Sequence, residues 1–200
     1  STFLKLFNRS IYPITSNQSS FKLFNKENIN IWDLRRKVGF LFREMEERVN
    51  NGVNLYDVII SGFTGTFNSR YSEFIKESEK TKINNLINEW ELNKLIYNEF
   101  NSLSDGQKRR GLLARALVYE PNILVLDEPF CNLDIKSNFI LHQNLNKLID
   151  QSINLLYVTH DLESISSKTN RVLLIKEGEI IQDGNPNELL NSNILSKLFN

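Results

Sequence analysis

The sequence has little of several things, and each shortage excludes a class of protein. A single cysteine, Cys131, rules out an internal disulfide framework and fits a reducing compartment. The 24 basic residues are balanced by 24 acidic ones, so no net charge attracts the chain to nucleic acid or to an anionic membrane surface. No apolar run approaches the ~20 residues that a membrane-spanning helix needs. The 200 residues, 40% of them hydrophobic, suffice for one domain, or for a domain with a subdomain, around a buried core.

What is present is an alternation of strand and helix patterns after residue 103. The continuous apolar run at 123–126 and the segment 153–159 predict buried strands, and helix patterns cover 106–119 and a segment that begins at Asp134. An earlier apolar run at 38–42 predicts one more buried strand. Alternation of this kind predicts an α/β fold, with a mostly parallel sheet covered by helices on both faces.

The block from Arg43 to Phe100 differs, because it is charged and mostly helical in pattern. Apolar residues recur in it at roughly helical spacing: Leu86, Ile87, Trp90, Leu95 and Ile96. No buried-strand pattern interrupts it, so we interpret it as a helical subdomain inserted between two strands of the core. The predicted division of the chain is therefore 1–42, 43–105 and 106–200.

Shorter elements are expected elsewhere. The spacing of apolar residues predicts a helix at 1–9 and a short helix at 161–167. The segment 21–24 is interpreted as an outer strand. Residues 172–175 and 179–181 predict a β-hairpin around Gly178.

Chemistry-bearing side chains follow two of the predicted strands. Asp127 and Glu128 end the run at 123–126, and His160 follows the run at 153–159. Ligands of parallel α/β sheets bind at the carboxyl ends of strands. Asp127 would be costly there without a cation such as phosphate-bound Mg²⁺, and a neighbouring carboxylate can deprotonate water. Alternatively, Asp127 only caps a turn, and a lone histidine such as His160 is usually structural or simply exposed.

Ser104 and Gly106 open the predicted helix at 106–119. A helix start offers free N–H groups to anions, a glycine allows close approach, and a serine adds a hydroxyl. The common alternative is an ordinary serine N-cap, which would be favoured for this segment alone. Asp134 likewise has a default interpretation as the N-cap of its helix, and His142, on an amphipathic helix, is expected to be structural.

Taken together and in this order, these segments resemble the ATP-binding domain of ABC-type ATPases. Leu103–Gln107 resembles the signature motif LSGGQ, with Asp105 at a glycine position, and 123–128 resembles the Walker B strand with its catalytic glutamate. Asn132–Asp134 is similar to the D-loop, and Thr159–Asp161 is similar to the switch-histidine segment. The helix sequence RRGLLARALVYEP and the terminal hairpin at 178–184 also resemble the family.

The resemblance implies a P-loop NTPase-like fold that binds ATP and Mg²⁺. Ser1 and Thr2 resemble the end of a Walker A motif, so that both would bind nucleotide and Ser1 would ligate Mg²⁺ together with Asp127. No GxxxxGK[ST] occurs in the sequence. The expectation is an N-terminally truncated chain, or a protein that lost its phosphate loop, and in either case weak ATP hydrolysis.

A further departure from the family lies at Arg43. The family usually places a glutamine there, at the end of the strand, where it touches Mg²⁺ or water and relays motion to the helical subdomain. Arginine carries a fixed positive charge and cannot ligate a cation. Arg43 would contact phosphate instead or point away, so the family's coupling mechanism does not carry over directly to this chain.

The implied mechanism joins two ATPase domains, as a homodimer or heterodimer, head to tail around each ATP. Glu128 would polarise water and His160 would support the γ-phosphate. From the other copy, Ser104, Gly106 and Gln107 would act on the nucleotide, and Asp134 would bridge the two sites. Dimer closure would drive membrane permease subunits, so the expected location is cytoplasmic, peripheral at the inner face of the membrane.

Three functions follow from this resemblance. The first is the ATP-hydrolysing subunit of an ABC transporter. The alternatives are a soluble ABC ATPase that acts on nucleic acid or ribosomes, which the balanced charge disfavours, and a non-catalytic module. No nucleic-acid partner is expected, and neither the transported substrate nor the direction of transport can be read from the sequence.

Overall fold

The computed structural model describes residues 2–14, 20–67, 75–191 and 194–196. The chain divides into two compact units, residues 1–160 and residues 161–200. Each unit is described separately below.

Three parallel strands form the centre of the first unit. They are β1 (Val38–Leu41), β2 (Ile123–Asp127) and β3 (Asn154–Val158), in the order β1-β2-β3. Val125 pairs with Phe40 on one side and with Leu156 on the other. The three predicted strands and the predicted parallel sheet are confirmed, but β3 is only half-buried, because Asn154 is exposed and no other residue of that strand is fully buried. Because all three strands run in the same direction, their carboxyl ends lie along one edge of the sheet.

Helices cover this sheet and connect its strands. Their bounds are α1 (Thr2–Phe7), α2 (Ile31–Lys37), α3 (Glu44–Glu47), α4 (Leu55–Thr64), α5 (Glu77–Glu89), α6 (Asp105–Leu117) and α7 (Ile135–Asp150). Side-chain oxygens at the residue before the helix accept backbone N–H bonds in α2, α4, α6 and α7, which explains where those helices begin. Gly65 ends α4 in the left-handed conformation, at φ 74°.

The two faces of the sheet belong to two different apolar clusters. Leu124 and Leu126 of β2 join the larger cluster, to which α4, α5, α6 and α7 contribute. Val125, which points the other way, joins Leu4 of α1 and Leu34 of α2 in the smaller cluster. Helices therefore pack on both faces, as the α/β prediction required.

The block at 43–105 is helical, as predicted, with α3, α4 and α5 and no strand in its described part. Its buried residues, such as Ile59 and Ile83, belong to the same cluster as Leu124. The division of the chain at residues 43 and 105 stays a prediction.

The second unit consists mainly of a β-hairpin. A short 3-10 turn (Leu162–Ser164) precedes β4 (Val172–Lys176), β5 (Glu179–Gly184) and α8 (Pro186–Leu189). The two strands pair antiparallel across Gly178 at φ 85°, which confirms the predicted hairpin. The helix predicted at 161–167 is wrong beyond that single turn, because too few apolar positions repeat there to bury a helical face.

The outer strand predicted at 21–24 is also wrong. Leu23 and Lys26 form an isolated bridge that closes a tight turn, in which Phe24 and Asn25 have φ values of 52° and 62°. The chain reverses within this segment, so it has no length over which to pair with a sheet. Among the described residues, no helix is long and apolar enough to cross a membrane.

Candidate functional site

The carboxyl edge of the parallel sheet brings together three of the predicted site residues. Asp127 is the last residue of β2, Glu128 follows it, and His160 comes two residues after β3. β2 and β3 are paired neighbours, with Asp127 opposite Val158, so these side chains belong to adjacent strand ends.

Glu128 and His160 are in direct contact. His160 Nδ1 lies 2.7 Å from Glu128 Oε1, a hydrogen-bonding distance. The Glu128 side chain is 22% exposed and that of His160 is 74% exposed. A largely buried carboxylate is thus held by an imidazole that remains open to solvent. This is a suitable arrangement for activating a water molecule at the rim of the sheet.

The backbone of Glu128 is held in an unusual conformation. Its φ is 49°, in the left-handed region, where a residue with a side chain pays of order 1–3 kcal/mol. Its N–H donates to the Val158 carbonyl at 3.0 Å, which ties the turn to the end of β3.

The donor set at this edge fits Mg²⁺ only when phosphate is present. Among the described residues, no group of three or more His, Cys, Asp or Glu side chains could hold a metal ion. Mg²⁺ in phosphate-processing sites uses one or two carboxylates, and takes its other ligands from water and phosphate oxygens. The half-buried Asp127 suits that role. Ser1, the other predicted ligand, lies outside the described residues.

The start of α6 is occupied by bonds within the chain. Ser104 Oγ accepts the Gln107 N–H, and Gln107 Oε1 accepts the Ser104 N–H at 3.0 Å, which together form a capping box. The ordinary N-cap interpretation of Ser104 therefore holds. Ser104 is nevertheless exposed, and its binding of phosphate stays a prediction.

Gly106 packs closely on α7. A Cβ atom placed on it would lie 2.4 Å from Ser137 Oγ and 2.6 Å from Ser137 Cβ, so any side chain there would collide. Ser137 Oγ in turn donates to Asp134 Oδ2 at 2.6 Å, and the Ser137 N–H donates to Asp134 Oδ1. These bonds hold the pKa of Asp134 below its usual range. Asp134 is the N-cap of α7, and Ser137 links it to the start of α6.

The remaining predicted positions lie at the surface. Arg43 is exposed immediately after Phe42, beyond the end of β1, and Thr2 is the exposed first residue of α1. His142 stacks on the ring of Phe130, with centroids 3.9 Å apart, in agreement with the structural role expected for it.

Two buried arginines on α6 were missed. The side chain of Arg109 is 5% exposed and lies 3.3 Å from Glu46 Oε1 of α3. Arg115 Nε donates to Ser61 Oγ at 2.8 Å, and its guanidinium lies over the Phe67 ring. Burial lowers the pKa of Arg115 to about 10. The available signal concerned Arg109 alone, which falls on the same side of the predicted helix as Leu112 and Leu113, whereas the helical spacing does not mark Arg115.

Arg115 also lines a cavity of about 180 Å³ that Arg35 and Arg48 share. Arg35 stacks on Trp32 at 5.0 Å, and Arg48 pairs with Glu44 at 3.3 Å. Within the described ranges, no carboxylate contacts Arg115. The charged residues that line the cavity are therefore all arginines, among apolar and uncharged neighbours.

Known proteins are similar to this chain in sequence and in fold. A family model described as ABC transporter matches residues 1–131. The chain is 36% identical over 140 residues to the spermidine/putrescine import ATP-binding protein PotA of Borreliella afzelii, covering 70% of this chain and 39% of PotA. It is 31% identical over 172 residues to the uncharacterized ABC transporter ATP-binding protein YlmA of Bacillus subtilis, covering 83% of this chain and 63% of YlmA.

Among solved structures, CbiO1 from Clostridium perfringens, part of the ABC transporter complex CbiONQ, superimposes with a TM-score of 0.74 at 25% identity. That match covers 98% of this chain and 76% of CbiO1. The chain spans less than two thirds of the length of PotA and of YlmA.

Proposed function

The chain belongs to the ABC transporter family, and from this membership we propose that it is the ATP-binding subunit of an ABC transporter, which binds ATP with Mg²⁺ and hydrolyses it to drive transport. Both PotA and YlmA are named ATP-binding proteins, which supports ATP as the nucleotide. The observation that supports hydrolysis most strongly is the contact between Glu128 and His160 at the sheet edge.

Each residue of the edge has a role in this proposal. Glu128 accepts a proton from the attacking water, because its carboxylate is fixed in place and shielded from solvent on most sides. His160 orients that carboxylate and reaches the γ-phosphate from its exposed side. Asp127 and Ser1 hold Mg²⁺, which neutralises phosphate charge when it is bound.

The start of α6 serves the nucleotide of a second copy. Ser104 and Asp105 are exposed, so this end of the helix is accessible to another chain. A helix start attracts phosphate through its free N–H groups and its dipole. In the proposed dimer, Ser104, Gly106 and Gln107 contact the partner's nucleotide, and Asp134 lies between the two sites.

A membrane permease is the proposed second partner, and binding to it would hold the chain at the inner face of the membrane.

The cavity that Arg35, Arg48 and Arg115 share suits a docking segment that carries a carboxylate, because a buried guanidinium without an acid is costly. Replacing Arg35 by Glu should reduce co-purification with the co-expressed permease by reversing this complementarity. Arg36→Glu is the matched control, since Arg36 is exposed and does not line the cavity.

Nucleotide binding and turnover of the complete gene product test the proposal. Saturable binding of ATP, with phosphate release that depends on Mg²⁺, is expected. Binding without turnover would identify a non-catalytic module instead, and absence of nucleotide binding would contradict the proposal entirely.

A further inference from the structure

The four-residue helix α3 forms ion pairs in two opposite directions. Glu44 pairs with Lys5 of α1, and this contact lowers the pKa of Glu44. Two residues later, Glu46 pairs with Arg109 of α6 at 3.3 Å. One short acidic segment therefore contacts both the helix that starts at Thr2 and the helix that starts at Asp105.

The pair on the α6 side is the stronger constraint, because it is buried. Arg109 Nε and Nη1 are buried and have no hydrogen-bond partner. Glu46 Oε1 lies within ion-pair distance of Arg109 Nη2 but forms no hydrogen bond with good geometry, so the attraction is electrostatic. Loss of Glu46 would leave a buried cation without its acid, which is strongly unfavourable.

The position of this pair gives it consequences for the candidate site. α3 begins directly after Arg43, beyond the end of β1, and thus near the edge that presents Asp127 and Glu128. Arg109 lies about one helical turn after Gly106, close to the exposed start of α6. A shift of α3 relative to the sheet would therefore be transmitted to the start of α6 through Glu46.

We propose that α3 connects α1 to α6 through its ion pairs and so acts as an electrostatic strap. Glu46 and Arg109 are positioning residues, which hold the start of α6 in a fixed place relative to the sheet edge. In this chain the linkage starts directly after Arg43, the position at which the family usually has a glutamine that relays motion to the helical subdomain. The strap itself depends only on contacts within residues 1–160, and its effect on turnover rests on the proposed function.

Hydrogen exchange in the nucleotide-free protein tests the strap independently of ATP. Glu46→Gln should raise exchange of the α6 amides at 108–113 by ~10-fold, because Arg109 loses its acid. Glu44→Gln breaks the more exposed contact with α1, together with the exposed pair that Glu44 forms with Arg48, and should raise exchange at the same amides ~2-fold. Glu47→Gln is the matched control, because Glu47 is exposed on the same helix and has no ion pair among the described residues.

The pattern across these variants decides the outcome. If Glu44→Gln leaves α6 unchanged while Glu46→Gln loosens it, the contact is local and the strap is refuted. Equal exchange in Glu46→Gln and Glu47→Gln would refute the contribution of the ion pair as well.

Steady-state ATP turnover of the complete gene product tests the positioning role. Glu46→Gln should lower kcat ~10-fold with little change in KM, because the start of α6 contributes to the reacting complex rather than to initial binding. Arg109→Lys keeps the charge and should restore part of the kcat lost in Arg109→Met. Faster exchange of the α6 amides with an unchanged kcat would refute the positioning role. A wild-type protein without ATP turnover would refute the proposed function, and the strap would then be tested by hydrogen exchange alone.

Discussion

The sheet edge and the start of α6 both contain hydrogen-bonded polar side chains, but the two regions differ in how open those side chains are to solvent. At the edge, Glu128 and His160 contact each other while His160 remains 74% exposed. At the start of α6, Ser104 and Gln107 cap each other, and Gly106 is closed off by α7. The first region leaves a side chain open to solvent, as the proposed chemistry requires, whereas the second uses its polar groups to stabilise the fold.

This difference explains why the two regions should respond differently to mutation. Polar groups that already form local hydrogen bonds stabilise the fold, whether or not they also bind a ligand. A residue in a strained conformation, such as Glu128, contributes little to the stability of the fold, and such residues are concentrated at functional sites. We therefore expect edge variants to lose activity and α6 variants to lose stability.

The largest expected effect is at the edge. Glu128→Gln removes the carboxylate that we propose takes the proton from water, but it keeps the shape of the side chain. ATP hydrolysis by the complete gene product should fall by at least ~10²-fold, while ATP binding and the unfolding midpoint stay close to wild type. Phosphate release and urea denaturation measure the two quantities, with Glu89→Gln, exposed at the end of α5, as control. Unchanged hydrolysis would show that another group is the base.

The next effect should appear at the α6–α7 contact. Gly106→Ala places a methyl group against Ser137, and overpacking costs about 1–3 kcal/mol, offset by up to ~1 kcal/mol of helix propensity. The free energy of unfolding from urea titrations should therefore fall. Adding Ser137→Gly removes the colliding Cβ, so Gly106→Ala should cost less in that background. An equal cost in both backgrounds would contradict the packing role.

A smaller loss is expected from the cap of α6. Ser104→Ala removes the hydroxyl that accepts the Gln107 N–H and should destabilise the protein by about 1 kcal/mol. Ser104→Asp keeps a capping oxygen and should leave stability nearly unchanged. If both variants unfold at the same denaturant concentration, the capping box does not stabilise the fold.

The smallest effect concerns a titration. Ser137→Ala removes the hydroxyl bond to Asp134, so the pKa of Asp134 should rise toward its ordinary value. In the wild type, the depressed pKa contributes stability above the ordinary value of ~3.9, and that contribution is lost as pH falls through the lower folded value. NMR titration of the Asp134 carboxyl measures the shift. An unchanged pKa would show that the backbone bond from Ser137 alone sets it.

The comparison also shows what could be predicted from the sequence. The strands β1 and β2 were predictable because buried parallel strands give continuous apolar runs, and the placement of Asp127, Glu128 and His160 was predictable because strand ends share an edge. The short 3-10 turn after Asp161 and the reversal at Leu23 were not, because local patterns of four to seven residues do not reveal whether a neighbour is available to pair or pack.

The long-range contacts were unpredictable for a different reason. The collision between Gly106 and Ser137, the ion pair of Glu46 with Arg109, and the burial of Arg115 each join segments that are distant in sequence. Pattern analysis finds the face on which a residue lies, but it does not identify the side chain that it meets there. An arginine on the apolar face of a predicted helix, as at position 109, is the one sign in the sequence that could have prompted the search.

Mixing two inactive variants tests most directly whether the edge of one copy and the α6 start of another share a nucleotide. Glu128→Gln disables the edge, and Ser104→Asp keeps the cap of α6 while it places a negative charge toward the partner's phosphates. Each variant alone should hydrolyse ATP very slowly. A mixture of the two should regain a measurable fraction of the wild-type rate, because a mixed dimer contains one site with Glu128 from one chain and Ser104 from the other. A mixture no more active than its separate components would contradict a site shared between two copies.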